Sequence, residues 1–375
     1  MKTFVRNAVL LTMGFSAVVL AGCSKASLDI HAPSVGEEVE MILGVEIVNP
    51  TVASATKAGS VLSRAVIDKD YAGPLYVSFA RLDQDEATGN YPANYANVDS
   101  AFLASWQGSL TSDDDKATII KFCDPKFYLS RAANNKTKLV GWYPAYKTQT
   151  ALGTGGVIEF SIDGATDIML TEELEADKTL RFGNFKAVGN SDNRIFHFNH
   201  KLTQLRIYAY GVDNAAPGVW GKIKSIKLKD QLPTCELTLP NGIGFIGTAA
   251  NLPLVQKKAS DDSAINYGAD GLAFSFNASA STQTDHEKSA VECGYALVAP
   301  VTTSGTLSLI VDTEKGGERT LNVPILPVSA ANPTPGGFQA GYAYNIYLRF
   351  SAITIVPEAT ISEWLDGGSV NVEMQ

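Results

Sequence analysis

The stretch EVEMILGVEI, Glu38 to Ile47, alternates apolar and polar residues with a period of two. Val39, Met41, Leu43, Val45 and Ile47 share one face, and Glu38, Glu40, Ile42, Gly44 and Glu46 share the other. Successive side chains of a β-strand point to opposite faces, so this is the pattern of a half-buried strand. Five inward side chains at about 1.5–3 kcal/mol each give roughly 8–15 kcal/mol of transfer free energy as an upper bound. That is as large as the net stability of a typical domain.

Behind the strand comes VNPTVASATKAGSVLSRAVIDKDYAG, residues 48–73, rich in Ala, Ser, Thr and Gly, and only then PLYVSFARL (Pro74 to Leu82). Long connections of this kind are uncommon inside compact domains and are usually functional. An accessible, extended backbone is what a protease needs. Arg64 in LSRAV and Lys57 in ATKAG are the basic residues at which a trypsin-like enzyme would cut, and Arg64 lies nearer the next strand. A cut here that released the first strand would leave an apolar groove, which another chain could fill by β-strand addition.

Further along, β-rich or alternating runs recur: KATIIKF, TKLVGWYPAY, GVIEFSI, FHFNHKLTQLRIYAYG, KIKSIKLKD, CELTLP, LAFSFNAS, YALVAPV, TLSLIVDT, RTLNVPIL and YNIYLRFSAITI. Clusters of Gly, Pro, Asn, Asp and Ser separate them, the pattern of an all-β chain built of sandwiches. Only DSAFLASWQ (Asp99 to Gln107) and LTEELEAD (Leu170 to Asp177) read as helical, which excludes an alternating α/β sheet. In SLIVDTEKGGERTLNVPI, Gly316 and Gly317 predict positive φ at a hairpin turn. The polar KAVGNSDN (Lys186 to Asn193) predicts the division between an N-terminal sandwich, 65–193, and a C-terminal one, 194–375.

The N-terminus predicts the compartment. Lys2 and Arg6 are followed by an apolar run, Ala8 to Leu20, and then by LAGC, which ends at Cys23. This is a secretory signal, residues 1–22, ending in a match to the bacterial lipobox, in which the Cys receives acyl chains such as palmitate. Residues 23–64 would then be a lipidated propeptide, held durably in the outer membrane because more than one chain is attached. No other run is long and apolar enough to span a bilayer, so the remainder is expected to be soluble and exported. The formal charge of −9 becomes −11 when Lys2 and Arg6 leave with the signal, which argues against nucleic acid as a partner.

Sites of chemistry are few. GIGFIG (Gly242, Gly244, Gly247) has the dinucleotide spacing but no following helix to hold a pyrophosphate, and reads as a glycine-rich loop between strands. His197 and His200, three apart in a strand, fall on opposite faces and cannot share a metal without a bulge. SDDDK (Ser112 to Lys116) and SDDS lack the ligand pattern of a calcium loop. Cys123, Cys235 and Cys293 are widely spaced and allow one disulfide at most, and no GxSxG or HExxH is present. No catalytic residue, metal or cofactor is therefore expected. Trp106, Trp142, Trp220 and Trp364 are candidates either for the core or for a sugar-stacking platform.

LVGWYPAY (Leu139 to Tyr146), FHFNHKLTQLRIYAYG (Phe196 to Gly211), GYAYNIYLRFSAITI (Gly341 to Ile355) and ATISEWLDGG (Ala359 to Gly368), in this order behind a lipobox, resemble the fimbrillin superfamily of Bacteroidales, in its Mfa-like branch of type V fimbrial subunits. The resemblance implies two transthyretin-like β-sandwiches, export as an outer-membrane lipoprotein, and proteolysis after a basic residue that removes the first strand with its lipid. It further implies polymerisation by strand exchange, with a neighbour's C-terminal strand filling the groove. On this chain Cys23 would carry the lipid, Arg64 or alternatively Lys57 the cut, and Ile361 to Val372, with Trp364 and Val370, the donor strand. The expectation is a non-enzymatic fimbrial subunit, minor or tip, serving adhesion and biofilm formation. The alternatives are a main stalk subunit and a membrane-retained glycan-binding lipoprotein.

Overall fold

Alternation along short runs becomes strand pairing in the computed structural model. It describes residues 37–48, 75–95, 98–103, 118–129, 135–145, 152–153, 155–182, 194–301, 306–323, 337–362 and 369–370. In the first part of the chain lie β1 (Ile42–Val48), β2 (Leu75–Asp83), β3 (Val98–Leu103), β4 (Thr118–Phe122), β5 (Thr137–Tyr143), β6 (Val157–Ser161), β7 (Met169–Leu170), β8 (Leu174–Ala176) and β9 (Ile195–His200). The second part begins with β10 (Thr203–Gly211), α1 (Ala216–Trp220), β11 (Ile223–Gln231), β12 (Thr234–Thr238), β13 (Gly242–Ile246), β14 (Ala250–Pro253) and α2 (Gln283–Lys288). It ends with β15 (Val291–Val298), β16 (Leu307–Thr313), β17 (Gly317–Val323), β18 (Ala343–Phe350), β19 (Ile355–Ser362) and β20 (Ser369–Val370). The architecture is all-β, as expected, with two short helices among the described residues.

The first sheet runs β2-β3-β4-β1-β9-β7-β5-β8, and β5 also pairs with β2. That extra pairing brings the sheet back to its first strand and wraps it round one core. The core holds Val77, Phe79, Phe122, Leu139, Met169, Phe196 and Phe198 together with four residues of the N-terminal strand. The close approach of β2 and β5 requires glycine at 141, because a Cβ there would stand 2.5 Å from the Phe79 ring.

A second core lies between the sheet β15-β10-β18-β19-β20 and the sheet β14-β11-β16-β17. The hairpin expected at residues 308–325 is β16–β17, but its two glycines differ. Gly317 has φ of 64°, whereas Gly316 has no positive φ and instead makes room for Trp220, whose ring would stand 2.4 Å from an added Cβ. A third cluster packs Leu82, Trp142, Ile158 and Phe160 against Leu202, Leu237, Leu297 and Ala343, beneath the small sheet β13-β12-β6.

Neither segment read as helical is a helix over its described residues. Asp99–Leu103 belongs to β3, and LTEELEAD supplies the end of β7 and all of β8. Glu and Leu favour helix, but here tertiary partners decide. Glu172 meets His197, Glu173 binds Lys138 at 2.7 Å and accepts from the Tyr95 hydroxyl, and Glu175 binds Lys136 at 2.6 Å and Tyr91 at 2.9 Å. Leu174 meanwhile packs on the first core. GIGFI is not a loop: it is β13, paired with β12. LAFSFNAS buries Leu272 and Phe274 in alternation as a strand would, yet makes only isolated bridges, Ile223 with Leu272 and Gly211 with Phe276.

The division expected at residue 193 falls just before β9, which still belongs to the first sheet; the change of sheet comes at Lys201 and Leu202.

Candidate functional site: the slot filled by the first strand

β1 lies between β4 and β9. It is antiparallel to β4, with Leu43 opposite Ile120 and Val45 opposite Thr118, and parallel to β9, with Gly44 opposite Ile195 and Val48 opposite Asn199. The pairing continues before the strand proper: the Met41 amide donates to the Lys126 carbonyl at 2.7 Å, and the Tyr128 amide to that of Val39 at 3.0 Å. Both edges of this segment are thus hydrogen-bonded, and nothing else separates β4 from β9.

The expected face is the buried one. Met41 and Leu43 are fully buried, Val45 is 1% exposed and Val39 6%, whereas Glu38 on the opposite face is exposed. Ile47 continues the strand as backbone, its side chain lying outside the described residues. Four such side chains contribute about 6–12 kcal/mol of transfer free energy as an upper bound.

The floor of the slot is aromatic. Phe79 meets Phe122, Phe196 and Phe198 edge-on, with centroids 5.8, 5.1 and 6.2 Å away. Tyr128 stacks on Phe182 at 5.9 Å and accepts a 2.7 Å hydrogen bond from its amide, while burial pushes the phenol's pKa up. Part of this floor is visible in FHFNH, where Phe196 and Phe198 alternate with His197. Removal of Val39–Val48 would leave two unpaired strand edges above a floor of Phe rings, a surface that recruits another strand.

The two histidines fall on opposite faces of β9, as their spacing predicts. His197 Nδ1 lies 2.9 Å from Glu172 Oε1 at the surface, and His200 Nδ1 2.7 Å from Asp167 Oδ2 in the interior. Among the described residues no cluster of His, Cys, Asp and Glu could hold a metal ion. Cys123 is an exposed thiol; Cys235 and Cys293 are buried thiols, and burial pushes the Cys235 pKa up to about 12. Trp142 and Trp220 are core residues, 0% and 8% exposed, and the Trp220 Nε1 donates to the Ser351 carbonyl at 2.6 Å. Neither can serve a sugar platform.

At the other end of the chain, Ile361 sits in β19 opposite Tyr344, and Val370 in β20 folds back opposite Ile361. Cys23, Lys57, Arg64, Trp106, Trp364 and Val372 lie outside the described residues, as does the whole SDDDK segment.

Over most of its length the chain is similar in fold to solved structures. Those it resembles are fimbrial and cell-adhesion proteins of Bacteroidales. A cell-adhesion candidate from Bacteroides uniformis shares 15% identity at a TM-score of 0.49, over 88% of this chain and 100% of that one. Another, from Parabacteroides distasonis, shares 8% at 0.49, over 87% and 97%. The tip fimbrial protein Mfa3 from Porphyromonas gingivalis, truncated at its C-terminus, shares 8% at 0.39, over 88% and 100%. No family model and no curated protein matches the sequence. Similarity at this level transfers no residue role to the chain.

Proposed function

We propose that this chain is a structural fimbrial subunit, a minor or tip component serving adhesion and biofilm formation, rather than an enzyme. In this reading the precursor is an outer-membrane lipoprotein anchored through Cys23. A protease cuts after Arg64, or alternatively Lys57, the first strand leaves, and a neighbouring subunit's C-terminal strand from Ile361 to Val372, with Trp364 and Val370, takes its place.

One observation carries the proposal: a strand that closes the first sheet between β4 and β9 and buries Val39, Met41, Leu43 and Val45 is joined in sequence to the other described strands through the Ala- and Ser-rich segment 49–74. An ordinary closing strand is held from both sides in sequence, whereas one cut here frees this one. The burial of Trp142 and Trp220 weakens the alternative of a Trp-based glycan platform.

N-terminal sequencing of protein sheared from cells tests the reading. A start at Ala65 or Ala58 supports it. Recovery only as an acylated Cys23 form would sink it.

A further inference from the structure

On the second sandwich, away from the slot, a cleft of about 500 Å³ opens at the surface, within the size range of small-molecule sites. Its lining includes Tyr208 and Val291 from β10 and β15, Ile265, and the polar groups of Lys258, Asn266 and Glu292. We propose that this cleft is a subsite for an uncharged hexose or N-acetylhexosamine, such as the terminal sugar of a surface glycan.

The aromatic wall is held rigid. Tyr208 stacks on Tyr347, one strand over on β18, with centroids 5.2 Å apart and planes 24° from parallel. A fixed ring with an apolar body suits the C–H face of a pyranose, and tyrosine supplies it at little cost in conformational entropy.

The polar groups are placed by bonds of their own. Asn266 Oδ1 accepts the Gly268 amide at 2.8 Å, which leaves its NH₂ group to donate, and Glu292 Oε1 accepts the Ala259 amide at 2.8 Å. The wall that carries Lys258 is a tight loop. Its Lys258 and Ser263 backbones bond at 2.9 Å, the Lys257–Asp262 ion pair spans 2.8 Å, and Asp262 takes the left-handed φ of 56° that aspartate tolerates. The site is therefore formed before any ligand arrives.

Charge narrows the ligand class. Lys257 is paired with Asp262, and the lining cation Lys258 stands with the lining Glu292 and the neighbouring Asp261, so a sugar acid would meet net repulsion. An open cleft with one aromatic wall suits a single sugar bound at about millimolar affinity.

This deepens the adhesion reading and rests on it for its biological use, but the binding itself does not require strand removal. The test is saturation-transfer NMR of the full chain in detergent with galactose, mannose, N-acetylglucosamine and N-acetylneuraminic acid. At least one of the three uncharged sugars should receive saturation at its ring C–H protons, and N-acetylneuraminic acid should not. Asn266→Ala and Lys258→Ala, both at exposed positions, should each weaken that binding about five- to tenfold. Tyr208→Phe should retain it, and Tyr208→Leu should abolish it while lowering the melting temperature by no more than about a few degrees, the share of the lost stack on Tyr347. Silence from all three uncharged sugars, or binding that Asn266→Ala and Lys258→Ala leave intact, would overturn the proposal. A negative result here with a start at Ala65 on sheared protein removes the sugar site and leaves the subunit reading standing.

Discussion

β1 and β10 make the same kind of contact. Each runs parallel to one neighbour and antiparallel to the other, β1 between β9 and β4, β10 between β18 and β15. Each drives an alternating apolar face into a core, Met41, Leu43 and Val45 in one case, Leu205, Ile207 and Ala209 in the other. They differ in connection. β10 is joined to β9 through Lys201–Leu202 on one side and to α1 through 212–215 on the other, whereas beyond β1 lies the long segment 49–74 before β2. Two strands paired in the same manner thus differ in how the chain holds them, and the difference lies in connection rather than in the kind of contact.

The sharpest way to break this comparison is to place a charge on each buried face. Leu43→Asp and Ile207→Asp should both destabilise the precursor by about 4 kcal/mol or more, since each buries an unpaired carboxylate. In subunits sheared from cells, which on the proposed reading have lost residues 1–64, Leu43→Asp should have no effect on thermal unfolding, while Ile207→Asp should remain crippling. Equal persistence of both effects would mean that β1 is a permanent strand.

A smaller effect is expected at Gly141, opposite the floor of the slot. Gly141→Ala drives a methyl into the Phe79 ring and should cost the precursor about 1–3 kcal/mol by denaturant unfolding. With the slot emptied, Phe79 has room to turn away, and the penalty should shrink. A penalty unchanged by removal of β1 would show that Phe79 does not border the slot.

The smallest effect concerns the second sandwich, which should be indifferent to the fate of β1. Burial raises the pKa of Glu287, and the nearby Glu358 raises it further. The folded state then holds a proton that the unfolded chain releases at its ordinary carboxylate pKa. Stability from this group is therefore full below that value and declines as pH rises through the interval up to the raised one. Glu287→Gln should flatten this decline in melting temperature, equally in the precursor and the cut form. A steeper pH dependence would contradict the direction given.

Alternation of side chains was legible in the sequence; partnership was not. EVEMILGVEI announced its buried face correctly, but nothing in it told that β9, distant in sequence, would lie parallel beside it. LAFSFNAS shows the same limit from the other side, since Leu272 and Phe274 are buried as read while the backbone finds no continuous ladder. LTEELEAD was misread because local propensity spoke for a helix, and the deciding groups, Tyr91, Tyr95, Lys136 and Lys138, lie far off in the chain. α2 did carry a local signal: the Thr282 hydroxyl accepts the Asp285 amide, an ordinary N-cap three residues before an acidic residue of the first turn. The aromatic floor was half visible, because Phe196 and Phe198 alternate, but Phe79, Phe122 and Phe182 join them only through the fold.

β6, from the N-terminal half, pairs through residues 157–161 with residues 234–238 of β12. In mechanical terms this ladder is a rivet between the halves. A pull that tries to part them loads its hydrogen bonds together with the side chains packed beneath, instead of straightening the short Lys201–Leu202 connection alone.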